Sequence, residues 1–256
     1  MRRIALLSAL LLFFSPQVLF AQSVKIVDFE GEVMVKQEPG LEWMKAKANL
    51  LLGPQAEVET KANSQCTLAF DKDWSNIITL KENTLIRIDS IVPGRINLTQ
   101  GRVFTVIQKL GKTQEFQVRT PTAIAAARGT GWSTGYSSGV TRILCFLDAI
   151  LLQALNNQGD VTGQTDVNAG SGIEVGPDGL LGTLFRISNA DNDEWNEFMD
   201  YLRDLLGFFS DNLNGQSLED AIWENKEDLH ERISQDIRAH NESSPSHEDL
   251  GEDTAE

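Results

Sequence analysis

A two-residue alternation of apolar and polar side chains recurs through residues 24–190, and it constrains this fold more than any other feature. Val33 and Val35 alternate with polar neighbours, as do Cys66, Leu68 and Phe70 further on. Turn-forming pairs separate such runs, among them Pro39-Gly40, Pro93-Gly94 and Ser138-Gly139. Short strands at a spacing of roughly 8–12 residues are typical of all-β domains. Because no long helical pattern interrupts them, we do not expect a parallel sheet with crossover helices.

The charge divides the chain into two regions. The 256 residues carry a net charge of −15, yet residues 1–190 sum to +1 and residues 191–256 to −16. A nucleic-acid partner would need clustered Lys and Arg, so the acidic excess argues against one. The asymmetry predicts two parts with different roles.

The acidic region has the spacing of amphipathic helices. One apolar stripe, preceded by capping residues at 189–193, comprises Trp195, Phe198, Leu202, Leu205, Leu206 and Phe209. A second stripe follows Ser217 and comprises Leu218, Ile222, Leu229, Ile233 and Ile237. We expect two acidic helices that pack on the β domain or on each other, or that form a partner or self-association surface. Residues 241–256 are rich in Ser and acidic residues, and we expect them to be disordered.

The first residues have the pattern of a secretory signal peptide. Arg2 and Arg3 precede an apolar run that ends at Ser15-Pro16, and Ala21-Gln22 offers a cleavage point. The run is shorter than the roughly 20 residues that span a bilayer. We therefore predict a signal peptide at 1–21, a β domain at 22–190, an acidic helical region at 191–240 and a tail at 241–256. The mature protein should be periplasmic or extracellular and should not span a membrane.

The most individual stretch joins Thr120-Pro121 to Arg128-Gly129-Thr130-Gly131-Trp132. Pro121 lacks an N–H group and suits the start or edge of a strand. Gly129 can adopt a positive φ, which would suit a bulge or tight corner. Arg128 could tie that corner to a carboxylate or to carbonyl groups. Architecture is the favoured role for Thr120, Pro121, Arg128, Gly129, Thr130 and Trp132, and a ligand or partner surface is the alternative.

These motifs, in their order, resemble the FecR domain of exported bacterial proteins. The resemblance covers residues 24 to about 150, with a similar trailing strand at 167–170. Its elements include Gly31-Glu32-Val33, Leu98-Thr99-Gln100-Gly101-Arg102-Val103 and Arg128-Gly129-Thr130-Gly131-Trp132. It implies a compact all-β unit of stacked short strands, similar to a β-solenoid or a twisted sandwich, so that with the two acidic helices the whole chain should be mainly β. Classical FecR regulators also have a cytoplasmic anti-sigma segment and one membrane helix before this domain, whereas we expect only a signal peptide here. The resemblance therefore implies the module without implying sigma-factor control.

Catalytic and metal-binding patterns are weak in this sequence. Gly135-Tyr136-Ser137-Ser138-Gly139 has nucleophile-elbow spacing, but a strand rather than a helix is predicted after it. The three histidines all lie in the acidic region, and we expect no catalytic, metal or cofactor site. Cys66 and Cys145 could form a disulfide in an exported protein or remain two separate buried thiols.

The sequence therefore predicts a non-enzymatic exported module for interaction or sensing in the cell envelope, with a protein partner or self-association through its C-terminal helices. The alternative is a polysaccharide- or peptidoglycan-binding protein. In that case Trp43, Trp74 and Trp132 would stack on sugar faces, so their burial distinguishes the two functions.

Overall fold

The computed structural model of this chain describes residues 23–72, 74–107 and 115–211. Within these residues the fold is mainly β, as predicted, with seventeen strands followed by one helix, α1, Asn189–Asp211. The second predicted helix, the C-terminal tail and the predicted signal peptide lie outside the described residues. Of the two predicted acidic helices, the described part of the chain therefore contains one.

The strands form two layers, A and B, joined through β9 (Arg95–Ile107), which belongs to both. In spatial order, the other strands of layer A are β4 (Leu51–Leu52), β1 (Val24–Glu30), β6 (Gln65–Ala69), β7 (Asn76–Leu80), then, beyond β9, β12 (Thr130–Ser137), β13 (Val140–Leu147), β16 (Ser171–Val175) and β17 (Phe185–Arg186).

In layer B the corresponding order is β3 (Met44–Lys45), β2 (Val33–Lys36), β5 (Glu57–Thr60), β8 (Leu85–Ser90), then, beyond β9, β10 (Phe116–Arg119), β11 (Ala123–Ala127), β14 (Ala149–Leu155) and β15 (Val161–Asn168). Neighbouring strands are antiparallel in both layers, apart from the parallel pair of β9 and β10.

The long strand β9 passes from one layer to the other at Gly101. Residues 95–100 pair with β8 and residues 95–97 with β10, whereas residues 101–107 pair with β12 and residues 103–107 with β7. Gly101 has a φ of +90°, and an added Cβ would lie 2.5 Å from the Cα of Thr84. A side chain is therefore excluded at this position both by backbone conformation and by space.

Other crossings between the layers also use left-handed residues, and their corners stack on one another. The Oγ1 of Thr60 accepts the N–H of Thr84, whose own hydroxyl donates to the carbonyl of Arg102 at 3.2 Å. At the next corner, the N–H of Glu32 donates to the Oγ of Ser64. The left-handed residues at these crossings are Gly31, Asn63, Asn83, Asp148 and Gly170.

The main core lies between the two layers, because the alternation directs one apolar face of each layer inward. Trp132, Phe116 and Leu98 are among its fully buried side chains. A second apolar cluster lies on the outer face of layer A, where α1 covers Ile77, Phe104 and their neighbours. The helix therefore packs on the β layers, which was one of the two packing arrangements expected from its stripe.

Candidate functional surface: the Arg-Gly-Thr corner and the docked helix

The predicted Thr-Pro element forms a tight turn between β10 and β11. The N–H of Thr120 donates to the carbonyl of Ala123 at 2.8 Å, and the N–H of Ala123 donates back to the Thr120 hydroxyl at 3.0 Å. The hydroxyl of Thr141 lies 2.6 Å from that of Thr120 and 2.7 Å from that of Thr122. All three threonines are buried, and Pro121 is exposed at the tip of the turn. These partners satisfy the buried hydroxyls, which gives Thr120 a structural role.

Arg128 and Gly129 lie at the exposed corner between β11 and β12. Arg128 forms an ion pair with Glu115 at 3.2 Å, and its side chain is 60% exposed. Gly129 is not among the left-handed glycines, so the expectation of a positive φ at this residue is wrong. The nearest atom to an added Cβ would be the carbonyl oxygen of Ile107, at 3.8 Å. This crossing between the layers is made without a left-handed turn at the glycine, so a side chain would fit there.

The close approach occurs two residues later, at Gly131. A Cβ on Gly131 would lie 2.7 Å from two carbon atoms of the Trp195 ring and 3.0 Å from a methyl carbon of Leu147. The next residue, Trp132, points the opposite way into the core between the layers, where its Nε1–H donates to Thr134. Glycine inside a strand often marks the close approach of another element, and here that element is α1.

An aromatic cluster fixes α1 to layer A. The Trp195 ring stacks on Phe146 with centroids 4.4 Å apart and nearly parallel planes. Phe198 stacks on Phe104 at 4.8 Å, and Leu202 completes the buried side of the helix. Burying each of these large side chains contributes roughly 1.5–3 kcal/mol, so together they hold the helix firmly on the sheet. The first apolar stripe is thus packed within the chain over the residues described, as one of the expected arrangements required, and the alternative of a self-association surface is disfavoured there.

Opposite charges align the first turns of α1 on layer A. Arg102 of β9 forms an ion pair with Glu194 at 2.5 Å, and Lys81 lies 3.8 Å from the same carboxylate. Arg142 of β13 forms an ion pair with Asp191 at 3.1 Å. These half-buried pairs fix the position of the helix along the sheet, since partly buried charges are screened less than exposed ones.

Ser188 caps the helix, immediately before the residues predicted to do so. Its Oγ accepts the N–H of Asp191 at 3.1 Å and donates to the Asp191 carboxylate at 2.6 Å. The bond from the Asp191 N–H to the Ser188 Oγ is the first half of a capping box, but the Asp191 carboxylate accepts from the Ser188 hydroxyl rather than from its backbone N–H. The negative charge of Asp191 also interacts favourably with the N-terminal end of the helix dipole.

Tyr201 anchors the middle of α1 through a hydroxyl network. Its hydroxyl donates to Asp28 at 2.7 Å and lies 3.0 Å from the hydroxyl of Thr67, which in turn lies 2.9 Å from that of Thr79. Burial, and then the nearby Asp28 carboxylate, raise the pKa of Tyr201 far above its ordinary value. The phenol therefore stays protonated and donates to the carboxylate throughout the neutral pH range.

The two cysteines are separate buried thiols, so the disulfide alternative is wrong. Cys66 lies in β6 and Cys145 in β13, with β7, β9 and β12 between them in layer A. Four strand spacings of about 4.8 Å separate them by ~19 Å, whereas a disulfide needs Cα atoms within about 7 Å. Burial raises the pKa of both thiols, that of Cys145 to about 11.

Two of the three tryptophans considered for sugar stacking are buried. Trp132 is fully buried and Trp74 is 3% exposed, whereas Trp43 is 37% exposed with the Lys36 ammonium above its ring. These rings do not align on one surface. Sugar stacking would require these tryptophans to be exposed together, so their burial disfavours the polysaccharide-binding alternative.

The nucleophile-elbow spacing falls in a hairpin. Ser137 ends β12, and Ser138 and Gly139 form the left-handed turn into β13. A strand follows the serine here, as the sequence predicted, where an elbow requires a helix.

Among the described residues there is no group of three potential metal ligands. Among the same residues, no helix has the length and apolar character that crossing a membrane requires. The three histidines lie outside the described residues.

The two layers, their stacked corners and the docked acidic helix define a mainly β protein module. Residues 56–150 match the family model described as FecR protein, which confirms the resemblance to the FecR domain over that range. The matched range runs from the residue before β5 to the second residue of β14 and so includes the shared strand β9.

Other comparisons reach less far. No curated protein matches the sequence significantly. Two crystal structures, both described as "a putative anti-sigma factor from Parabacteroides distasonis ATCC 8503", are similar with 11% sequence identity and a TM-score of 0.45. Each similarity covers 54% of this chain and 63% of the other, which is less than two thirds of that chain's length.

Proposed function

We propose that this chain is a non-enzymatic, exported interaction or sensing module of the bacterial cell envelope that contacts a protein partner through the exposed acidic side of α1. The observation that carries the proposal is that one side of this helix is packed on the sheet while the opposite side is acidic and exposed. Its apolar side is packed on layer A, and Asp191 and Glu194 are paired with basic residues there. Among the side chains described on the helix, the exposed acidic ones are Asp193, Glu197, Asp200 and Asp204, of which Asp200 pairs with the exposed Arg203.

The charge distribution supports this choice of surface. Residues 22–190 have nearly equal numbers of acidic and basic residues, so the β layers cannot strongly steer a charged partner. The acidic face of α1 is fixed by the docking contacts and therefore presents its carboxylates in a constant arrangement. A basic protein surface is the complementary partner, and its attraction should weaken as salt increases.

Export is supported by the signal-peptide pattern at 1–21 and by the FecR domain. N-terminal sequencing of the protein recovered from the periplasm or medium should begin at Gln22. Recovery of the chain with Met1 retained would contradict the exported location.

The partner contact can be tested by site-specific photo-cross-linking in cells. A photoreactive residue at exposed Asn196 on α1 should give an adduct with another envelope protein, and one at exposed Arg119 on layer B serves as the matched control. Glu197→Gln with Asp200→Asn should reduce the α1 adduct, since both positions are exposed. Equal adducts from both positions, or an adduct unaffected by the neutralising changes, would remove the acidic face from the mechanism.

A further inference from the structure

The free edges of the two layers are very unequal. The edge strands β3, β4 and β17 have two residues each, whereas β15 has eight. Short edge strands are a common protection against unwanted pairing, because they offer few unpaired backbone groups. In the described residues, β15 pairs with β14 alone and leaves its other side open. It therefore offers the one long template for strand pairing in the described part of the fold.

The register identifies which backbone groups face outward. The N–H of Ala169 donates to the carbonyl of Asp148, so odd-numbered residues of β15 direct their backbone groups toward β14. On the other side of β14, the N–H of Leu155 donates to Thr122, which agrees with this parity. The N–H and C=O groups of Gln164 and Asp166 therefore point away from β14, on the side where no described strand pairs with β15.

The sequence of β15 is complementary to itself. If two copies pair antiparallel about Gln164, Val161 lies opposite Val167 and Thr162 lies opposite Asp166. Asp166 is the strand's one charged residue, so this register places no like charges opposite each other. The same register makes Gln164 a hydrogen-bonded pair with its own copy, which is the parity that its outward backbone groups require.

Exposed apolar side chains lie at one end of this edge. Val161 is 51% exposed, and Leu180 is 63% exposed. Leu180 is near the edge because the hydroxyl of the neighbouring Thr162 donates to the carbonyl of Gly179. A two-fold contact about Gln164 would bring this apolar end of each copy beside the far end of the other strand.

We propose that a second copy of this chain binds at β15, through antiparallel pairing of β15 with β15 about Gln164. The two B layers then form one continuous sheet across a two-fold axis, a self-complementary interface of the kind found in most dimers. The proposal does not depend on export or on the acidic face of α1.

Sedimentation of the chain from Gln22 to Glu256 over a concentration series tests this interface. The native chain should form a dimer. Gln164→Pro removes an outward N–H from each copy and should weaken the dimer by about a hundredfold. Its thermal midpoint, measured where the native chain is monomeric, should stay close to native, since proline is tolerated on the open side of an edge strand.

A matched pair of charged variants separates the edge from the face. Gln164→Lys places two ammonium groups opposite each other at the two-fold axis and should weaken the dimer several-fold. Gln153→Lys makes the same change at the cross-strand partner of Gln164, one strand inside the sheet, and should leave the dimer intact. A monomer at every concentration, or a dimer that both Gln164 variants leave unchanged, would overturn the proposal. The first of these outcomes is also the one expected if a strand of another protein, rather than a second copy, pairs with β15.

Discussion

Gly131→Ala should weaken the docking of α1, because the added methyl group enters space that the Trp195 ring occupies. Its Cβ would lie 2.7 Å from two ring carbons, whereas carbon atoms normally approach to about 3.5–4 Å. The ring must move by ~1 Å, yet it is stacked on Phe146 and only 5% exposed. Overpacking of this kind costs roughly 1–3 kcal/mol. That cost is smaller than the gross burial energy of the helix, so the helix should stay bound but with lower stability.

Gly129→Ala is the matched control, two residues away in the same motif. Its added methyl group would approach nothing closer than 3.8 Å, and the residue's φ is not left-handed. We expect a change within about 0.5 kcal/mol, or a slight gain from the reduced freedom of the unfolded chain. Thermal and denaturant unfolding should then separate the two variants, by roughly 2–4 °C for each kcal/mol of difference.

Trp195→Phe isolates the contact. The two ring carbons that meet the new Cβ belong to the part of the indole that Phe lacks, so Gly131→Ala should cost less in this background. A double-mutant cycle should give a coupling energy of about 1 kcal/mol or more. Equal costs of Gly131→Ala in both backgrounds, or equal losses from Gly129→Ala and Gly131→Ala, would refute the assignment of Gly131 as the helix-docking glycine.

Three further results are expected. Gly101→Ala should destabilise the chain by more than about 3 kcal/mol in denaturant unfolding, because a left-handed φ and contact with the Thr84 backbone both oppose it. Glu194→Gln should cost roughly 0.5–1 kcal/mol at low salt and less at high salt, since its partner Arg102 is half-buried. Burial raises the pKa of Cys145 from 9.0 to about 11, so its stabilising contribution is complete below pH 9.0 and is lost toward pH 11. Unfolding midpoints should fall over that range, and Cys145→Ala should flatten part of the decline.

Local patterns predicted most of the strands and the inward direction of several side chains. The alternation placed Cys66 and Cys145 on the buried face, which the structure confirms. Their pairing could not be judged from that pattern, because burial follows from local periodicity whereas distance follows from strand order. The strand order in layer A places three strands between the two cysteines, and the sequence around either cysteine does not indicate that order.

The docking contacts were harder to predict, although some signals were present. Ser188 stands three residues before Asp191 and ahead of an apolar stripe, a spacing that indicates a capping box. Gly131 sits between two residues of a strand, where a missing side chain indicates a close neighbour. The identity of that neighbour, Trp195, depends on a contact across 64 positions of the chain, which local sequence does not encode.

The position of the shared strand β9 sets the order in which the two halves of the chain can fold. In both layers, every strand that precedes β9 in sequence lies on one side of it, and every strand that follows lies on the other. In a chain that emerges N-terminus first, the first half can therefore fold on β9 before the second half is available. During that interval the far side of β9 is an open edge in both layers at once, and β10 and β12 later close it. Further strands then add outward from β9. Hairpins gained or lost in evolution at the outer edges of the layers would therefore leave β9 and its partner strands unchanged.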